Sequence, residues 1–580
     1  MGLTPNALAV LRKRYLVRDE SGAVVETPEQ LWKRVATAIA KTPADAARYE
    51  AAMAALDFLP NSPALMNAGR SLGQLFACFV IPVDDHLVSP GDDGIFDAIR
   101  TAAVIHQSGG GTGFSFSRLR PEGSRVATTG GRSSGPLSFM RVFNEATRAI
   151  QQGGFRRGAN MAILRVDHPD ILDFINLKSD PREMTNFNVS VGVTDAFLDA
   201  VKRDAPHEVV DPHTKRKSPL REKMRDDGGN LLGGGTRLFS ARDVFDALCR
   251  RAWESGEPGI VFLDRIATFQ PTPELGAIEA TNPCGEMPLL PFEACNLGSI
   301  NLARFAAGKE IDWPRLRETI RLVVRFLDDV IDANKYPKPQ IEAIVKGNRK
   351  IGLGVMGWAD LLFTLGLRYD SEPAVELARK LMKFIKEESW RASMDLAAER
   401  SPFPNCNRSI YGQKDHPLFA DCFRAERRPL RNANVTCIAP TGTISIIAGC
   451  TSGIEPAFAL SFTRHVLDGA TLPELDHVFE EIAKREGFTL DTIPAPWRDI
   501  FVTAHDIAPD GHLRMQAAFQ EFTDNAVSKT VNFPQASTPD DVRRVYELAI
   551  QLGVKGVTVY RDKTREGQPM ALEAVACKEC

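Results

Sequence analysis

The densest group of reactive side chains lies in residues 281–298, which read TNPCGEMPLLPFEACNLG. Within it, Pro283 favours extended geometry at Asn282. Side chains at i, i+2 and i+4 of an extended segment project from one side, so we expect Asn282, Cys284 and Glu286 to share a face. A carboxylate raises the pKa of a neighbouring thiol. The pattern therefore disfavours a thiolate nucleophile and favours hydrogen-atom chemistry at Cys284 with Glu286 as base, the alternative being a loop with a buried thiol and an exposed carboxylate.

The other cysteines and the familiar motifs narrow the chemistry. Ten cysteines in 580 residues are too few and too scattered to indicate a disulfide framework. Two of them, Cys577 and Cys580, form a C-x-x-C at the end of the chain. The glycine-rich segment 109–114 fails as a dinucleotide-binding turn because Phe114 occupies the third glycine position. The sequence contains neither a phosphate-binding Walker sequence nor the G-x-S-x-G elbow of hydrolases. Its histidines are scattered without paired spacing, so we expect no metal site. Four cysteines without partners at metal-ligand spacing are predicted to be core thiols: Cys249, Cys406, Cys422 and Cys450.

Composition and charge exclude further classes. The 580 residues include 71 Lys and Arg and 74 Asp and Glu, a net charge of −3. Such a chain has no overall basic field for nucleic acid or an anionic membrane. Apolar runs stay shorter than the ~20 residues that span a bilayer, and residues 1–15 lack a signal-peptide layout. We expect a cytoplasmic protein with one large catalytic body that binds neither nucleic acid nor membrane.

Hydrophobic periodicity predicts an α/β fold. A capping box at Thr27–Gln30 begins a helix in a small N-terminal helical region, residues 1–70. Asp312 and Ser371 each precede an apolar stripe at helical spacing and predict two further helices. Residues 202–237 are charged and glycine-rich and predict a surface excursion, and residues 568–580 predict a flexible tail. Short β-rich runs alternate with the helices at residues 114–116, 161–166, 188–193 and 557–560.

Several blocks, in this order, resemble one family. They are LPNSP at 59–63, LFACF at 75–79, SGGGTG at 108–113, GGFRRGAN at 153–160, NPCGE at 282–286, CNLGS at 295–299 and APTGTIS at 439–445. Together they are similar, over nearly the whole chain, to the large catalytic subunit of ribonucleotide reductases, specifically the adenosylcobalamin-dependent class II enzymes.

The resemblance implies a fold that periodicity does not reveal. It is a ten-stranded α/β barrel of two five-stranded halves with a central finger loop, assigned here to residues 71–567. By resemblance, adenosylcobalamin generates a thiyl radical on Cys284, which removes the ribose 3′ hydrogen. Glu286 then acts as general base and Asn282 hydrogen-bonds the ribose. Cys78 and Cys295 donate two electrons and end as a disulfide.

The resemblance also implies binding residues. Clustered N–H groups and hydroxyls predict a phosphate cradle, the alternative being a plain turn, at Thr441, Gly442, Thr443, Ile444 and Ser445. Ser62, Ala77 and Gly111 match further substrate contacts. Arg156 and Arg157, otherwise a solvated pair, match a loop that senses a deoxynucleotide effector, which Asp85 also contacts. Residues 136–151 predict a helix in a homodimer interface or in the core.

The radical source and the reductant have competing interpretations. Class I enzymes carry a tyrosine pair near the C-terminus, whereas the matching strand here has Tyr560 alone. The glycyl-radical class needs a C-terminal glycyl loop and a four-cysteine site, which the sequence lacks. We therefore expect an adenosylcobalamin-dependent enzyme that reduces ribonucleotides, most simply diphosphates, for DNA synthesis. The alternatives are a class I large subunit with a separate radical-generating subunit and a non-catalytic deoxynucleotide-binding module.

The C-terminal pair and one histidine motif complete the predictions. Cys577 and Cys580 predict a shuttle that passes electrons from a thioredoxin-like reductant to the active site by thiol exchange. Half of a zinc site and an inert terminus are the alternatives. Asp510-Gly511-His512 begins like the D-x-H-x-x-G element that displaces the cobalamin base, but Met515 replaces its glycine. We interpret that likeness as a coincidence.

Overall fold

Four helices form most of the N-terminal region of the chain. The computed structural model describes residues 2–152, 156–226, 231–465, 471–564 and 570–571. Threonine side chains cap the first three helices, and a full capping box at Thr27 and Gln30 begins the second, as predicted. The helices are α1 (Pro5–Arg14), α2 (Pro28–Ile39), α3 (Pro43–Ala54) and α4 (Ser62–Asn67).

A large mixed sheet follows. Its strands are β1 (Phe58–Pro60), β2 (Cys78–Val80), β3 (Gly111–Ser115), β6 (Asn160–Arg165), β7 (Phe187–Val193), β12 (Gly259–Phe262), β15 (Ala294–Asn301), β18 (Ile351–Met356), β21 (Thr530–Phe533) and β22 (Gly556–Arg561). Strands β2, β3, β6, β7 and β12 pair in parallel in that order. β15 pairs in parallel with β18, and β21 with β22.

The groups of parallel strands are joined to one another by antiparallel strand pairs, which we call seams. β2 pairs with β15, and β12 pairs with β22. β1 adds to the far end of β15. Each seam thus joins strands that come from distant parts of the chain.

Helices cover the sheet. They are α5 (Ile95–Gln107), α6 (Gly135–Ala149), α7 (Ile171–Ile175), α8 (Asp195–Lys202), α9 (Ala241–Ser255), α10 (Leu263–Thr268), α11 (Trp313–Ala333), α12 (Pro339–Asn348), α13 (Trp358–Leu365), α14 (Glu372–Arg400), α15 (Asp421–Glu426), α16 (Ile444–Ala448), α17 (His477–Glu486), α18 (Ala495–Arg498), α19 (Pro509–Gln520) and α20 (Pro539–Leu552). Two of them, α11 and α14, begin at the capping side chains of Asp312 and Ser371 and carry the two apolar stripes predicted from those residues. Short 3₁₀ helices lie at Pro273–Leu275, Leu302–Phe305, Pro404–Arg408, Ile410–Gly412 and Leu490–Thr492. In the part of the chain that the structure describes, none of these helices is both long and apolar enough to cross a membrane.

Small hairpins lie outside the large sheet. They pair β4 (Gln151–Gln152) with β5 (Arg156–Arg157), β8 (Glu208–Val210) with β9 (Lys217–Pro219), β10 (Arg221–Arg225) with β11 (Leu231–Leu238), β13 (Ala280–Thr281) with β14 (Pro288–Leu289), β16 (Ala306–Ala307) with β17 (Glu310–Ile311), and β19 (Ser461–His465) with β20 (Thr471–Leu475) and β23 (Met570–Ala571).

The α/β class and the helical N-terminal region are confirmed, and each predicted β-rich run lies in a strand shifted by a few residues at most. The described residues between 202 and 237 form mostly exposed hairpins, as expected for a surface excursion. Within the predicted tail at residues 568–580, the structure describes Met570 and Ala571 alone. These two residues pair with β19, because the edge of a hairpin offers unpaired N–H and C=O groups.

Candidate active site

A tight hairpin carries the three residues that the sequence singles out. β13 and β14 pair through Thr281 and Pro288, and we call residues 280–289 the finger loop. The Asn282 carbonyl accepts from the Gly285 N–H at 3.1 Å, and its side-chain oxygen accepts from the Met287 N–H at 2.9 Å. Gly285 has φ of +82°, a left-handed conformation that glycine adopts without strain. Asn282 is therefore the residue that closes the turn.

This turn corrects one sequence prediction. Residues 282–286 are not extended, so the expected single face for positions 282, 284 and 286 is wrong in its geometry. The restriction that Pro283 places on Asn282 ends at that residue, and Gly285 lets the chain reverse. Asn282 and Glu286 are 2 % exposed, whereas Cys284 is exposed at the tip.

Glycines in β3 make room for the finger loop. A Cβ atom at Gly113 would lie 1.7 Å from the Thr281 carbonyl oxygen, and one at Gly111 would lie 2.8 Å from Pro283 Cγ. The Asn188 side chain also donates to the Pro283 carbonyl at 2.7 Å. The glycine-rich block at 108–113 thus allows the loop to cross the sheet at close range, and its residues 111–113 belong to β3.

Cys78 and Cys295 face each other across β2 and β15. They are direct partners in the antiparallel register, and such partners have Cα atoms ~4.5–5.5 Å apart, within the range that a disulfide spans. Both are buried free thiols. Burial raises the pKa of Cys78 and Cys295 well above the usual range. The pair is therefore held as neutral thiols that can be oxidised together.

Glu286 and Asn282 contact Cys78, one member of this pair. The Asn282 amide donates to Cys78 Sγ at 3.1 Å, and Cys78 Sγ lies 3.9 Å from Glu286 Oε1. Burial raises the pKa of Glu286 to about 7. Its Oε2 atom has no hydrogen-bond partner among the described residues. A buried carboxyl group with a free oxygen and a near-neutral pKa is suited to take up a proton.

Cys284 opens onto a cavity of about 630 Å³. Residues of β6, β7, β12, β21 and β22 line it, and Tyr560 lies in the same wall. The volume falls within the range of small-molecule sites. The exposed thiol therefore faces open space, whereas Asn282 and Glu286 are buried beside Cys78.

A buried polar cluster forms one side of the cavity. Lys529 Nζ donates to Glu455 Oε2, to His512 Nδ1 at 2.9 Å and to the Thr530 carbonyl at 2.6 Å. Burial lowers the pKa of His512 to about 2, so the ring is neutral. His512 Nε2 bonds the Ala504 carbonyl at 3.1 Å. Both ring nitrogens are engaged within the protein, which agrees with the interpretation of the D-x-H likeness as a coincidence.

The loop at 441–445 enters a short helix, as its sequence suggested. Thr443 directly precedes α16, and its side chain makes no capping hydrogen bond. Nothing lies within 4 Å of a Cβ atom placed on Gly442. The Thr441 hydroxyl accepts from the Gly453 N–H at 2.7 Å, and Ser445 bonds Ser452 at 3.0 Å. Elsewhere, the Ser62 hydroxyl bonds Tyr15 at 2.7 Å, and the Ala77 carbonyl accepts from the Gly111 N–H at 2.8 Å.

Comparisons with known proteins agree with these features. Residues 1–73 match a family model described as "Ribonucleotide reductase, all-alpha domain", and residues 76–560 match "Ribonucleotide reductase, barrel domain". The chain belongs to the ribonucleotide reductase family. The reductase is 47% identical to a vitamin B12-dependent ribonucleoside-diphosphate reductase of Mycobacterium tuberculosis, over 98% of this chain and 79% of that protein. It is 42% identical to a protein of the same name in Thermoplasma acidophilum, over 100% and 81%.

Other predicted site residues of the reductase lie apart from the finger loop. Asp85 accepts from the Arg120 side chain at 2.7 Å and from its N–H at 3.2 Å. The backbone of Arg156 and Arg157 forms β5, and their side chains are outside the described residues. Cys577 and Cys580 also lie outside them. Among the described residues of the reductase, no cluster of three or more His, Cys, Asp or Glu could hold a metal ion.

Sequence reasoning missed several residues of the site. Arg14 of α1 donates to the Thr443 hydroxyl at 3.4 Å, and Cys437 is a third fully buried thiol in the cluster that contains Cys78 and Cys295. Glu455 and Lys529 line the cavity. Nothing in local spacing marks them, because tertiary packing alone brings these residues to the site.

Proposed function

We propose that this chain reduces ribonucleoside diphosphates to 2′-deoxyribonucleotides by a thiyl-radical reaction that depends on adenosylcobalamin. The proposal rests on the positions of the finger-loop residues, which lie on two sides of the loop. Cys284 faces a cavity, while Asn282 and Glu286 adjoin Cys78, which is paired with Cys295 across the two strands. The vitamin B12-dependent relatives supply the reaction class.

The cavity fits the nucleoside part of the cofactor. Its volume of about 630 Å³ is large enough for a nucleoside, and the exposed Cys284 is among its lining residues. Asn188, Ser528 and Thr530 among its wall residues would hold that part of the cofactor. When bound, adenosylcobalamin supplies a carbon radical able to oxidise a thiol.

Residues of the finger loop would act on the ribose. The Cys284 thiyl removes the 3′ hydrogen atom, and Glu286 takes the 3′-hydroxyl proton through its free oxygen. A pKa of about 7 lets Glu286 hold or release a proton near neutrality. Asn282 orients the ribose with the same amide that donates to Cys78.

Cys78 and Cys295 would supply the reducing equivalents. Two thiols lose two hydrogen atoms and form one S–S bond, while the 2′-hydroxyl leaves as water and a hydrogen replaces it at C2′. Neutral thiols suit this role because the reaction needs hydrogen atoms as well as electrons. The raised pKa values of both cysteines support it.

The phosphates would bind at the 441–445 loop. N–H groups entering α16 and hydroxyls of the loop are suitable donors, and Arg14 supplies a local positive charge beside Thr443. We assign substrate contacts to Thr441, Gly442, Thr443, Ile444, Ser445, Ser62, Ala77 and Gly111.

We further propose that the sheet closes into a ten-stranded barrel of two five-stranded halves spanning residues 71–567, with residues 1–70 and 568–580 outside it. Single parallel bridges support closure. Leu353 pairs with Thr436, and Ile438 pairs with Val527, so residues 436–438 would connect β18 to the segment that continues into β21.

Regulation and assembly are part of the proposal. Arg156, Arg157 and Asp85 would sense a deoxynucleotide effector. A homodimer would form through α5 and α6, where Phe96, Val104 and Val142 are exposed apolar residues on neighbouring helices. Exposed apolar groups of this kind favour association with a second copy.

The C-terminal pair would connect the active site to its reductant. A ribonucleotide reductase needs a redox partner, and we propose a thioredoxin-like protein. Cys577 and Cys580 would exchange thiols with the Cys78–Cys295 disulfide and then be reduced outside.

One assay tests the function. The purified chain is incubated with a small dithiol and each ribonucleoside diphosphate or triphosphate, with and without adenosylcobalamin. We expect deoxynucleotide only with the cofactor and without any second subunit. Product that requires a partner protein would indicate a class I subunit. Absence of product under every condition, with deoxynucleotide binding intact, would indicate the regulatory alternative.

A further inference from the structure

The carboxylate of Glu455 lies in the wall of the cavity that Cys284 also lines. Its Oε1 accepts from the Thr530 N–H at 2.8 Å and its Oε2 from Lys529. Each carboxylate oxygen has about two acceptor positions, so one remains at each oxygen. The side chain of Glu455 is 28% exposed and lines the cavity. A second cavity carboxylate, Glu257, is only 7% exposed and accepts from Lys178 and the Val189 N–H.

Lys529 holds this carboxylate in place. The side chain of Lys529 is fully buried, and its three N–H donors match three acceptors: Glu455, His512 and the Thr530 carbonyl. His512 accepts at Nδ1 because its Nε2 proton is directed at the Ala504 carbonyl. Lys529 therefore has no donor left for a ligand, whereas Glu455 does have acceptor positions left.

The two remaining acceptor positions of Glu455 suit a ligand that offers two adjacent donors. The vicinal 2′ and 3′ hydroxyls of a ribose do so, and a carboxylate accepts such a pair through both oxygens. We propose that Glu455 binds the ribose hydroxyls of the cofactor's nucleoside and that Lys529 is the positioning residue. This inference rests on the proposed function, because it assigns the cavity to adenosylcobalamin.

Binding of free nucleosides to the full chain tests the inference without any turnover. The probes are 5′-deoxyadenosine and 2′,5′-dideoxyadenosine, measured by equilibrium dialysis. Loss of one hydrogen bond to a charged acceptor predicts about 10- to 100-fold weaker binding of the second probe to the wild type. Equal Kd values, or no binding of 5′-deoxyadenosine, would overturn the inference, and this comparison does not depend on how a variant folds.

Variants then locate the acceptor. Glu455→Gln should lose most of the difference between the probes, and Glu342→Gln, a surface carboxylate paired with Lys346, should retain it. Lys529→Met should weaken 5′-deoxyadenosine binding about as much as Glu455→Gln, with no further loss in the double variant. Additive losses would refute the positioning role, and full discrimination in a folded Glu455→Gln would refute the assignment of Glu455.

The reduction assay separates this inference from the proposed function. Cofactor-dependent product together with equal Kd values overturns the ribose site alone. Probe discrimination without any reduction overturns the proposed function and leaves a nucleoside site at Glu455.

Discussion

The burial of Glu286 determines how readily its carboxyl group gains or loses a proton. Desolvation disfavours its charged form and raises its pKa to about 7, against opposing hydrogen bonds from Asn282 and Cys78. The same contacts bring the carboxyl group to the thiol that must be oxidised. The ionised form, which can accept a proton, therefore predominates only above neutrality.

The pH dependence of kcat/KM should report this group. If ionised Glu286 is the base, kcat/KM rises with pH, reaches half its maximum near pH 7 and is level above it. Glu286→Gln should remove this limb and lower kcat by about 100- to 10,000-fold. Initial rates over a pH series measure both effects. A wild-type profile that stays flat through neutrality would contradict the assignment.

Cys284→Ser should abolish reduction and leave the fold unchanged. The substitution is nearly isosteric at an exposed loop tip, but a hydroxyl is not oxidised as a thiol is. Circular dichroism and nucleotide binding should match the wild type. Multiple turnovers above the contamination level in this variant would refute the role of Cys284.

At the scale of elements, the finger loop depends on the strand beneath it. β3 passes so close to β13 that Gly113 has no space for a side chain. The loop position, and with it the distance from Asn282 to Cys78, is therefore set by a neighbouring strand as well as by the turn itself.

Gly113→Ala should displace the finger loop. The added Cβ would meet the Thr281 carbonyl oxygen at 1.7 Å, and overpacking of this kind costs about 1–3 kcal/mol. We expect a lower Tm and a large loss of activity. Gly412→Ala is the control, because nothing lies within 4 Å of a Cβ there. Equal Tm and activity in the two variants would show that the loop does not depend on this contact.

The same elements show what the sequence could predict. Helices α2, α11 and α14 follow from caps and apolar stripes, which are local signals. The turn at Gly285 was not predicted, because an alternating pattern suits an extended segment as well as a hairpin tip. Lys529 and Glu455 are 74 positions apart, and no local rule pairs them. The chemistry of Cys284 and Glu286 was suggested by residue type, and the resemblance to a family supplied the rest.

At the scale of the molecule, two regions away from the finger loop have proposed roles in assembly and in electron supply. The exposed face of α5 and α6 would join a second copy, and the C-terminal cysteines would join the interior to a reductant. Both proposals predict effects far from the finger loop.

Charged residues at the α5–α6 face should weaken the dimer. Phe96 and Val142 are 45% and 40% exposed, so their replacement by Glu costs little in the monomer. We expect the double variant Phe96→Glu/Val142→Glu to shift the molecular mass measured by light scattering towards the monomer. Lys33→Glu, on the exposed side of α2, is the control. A double variant that keeps the wild-type mass would exclude this interface.

Loss of the C-terminal pair should depend on the reductant. Cys577→Ser/Cys580→Ser should keep turnover with a small dithiol that diffuses into the site, and should lose most turnover with thioredoxin. Steady-state rates with each reductant measure the difference. Equal rates with thioredoxin would reject the shuttle, and stoichiometric zinc lost in the variant would favour a metal site.

The position of Cys78 and Cys295 on different strand groups has a mechanical consequence. β2 and β15 meet at one of the two antiparallel seams, so each turnover would cross-link that seam and each reduction would release it. The closed loop spans about 220 residues, and the chain-entropy model assigns such a cross-link about 5 kcal/mol. The oxidised protein should therefore melt at a higher temperature than the reduced one, and Tm would record how far the enzyme has advanced in its catalytic cycle.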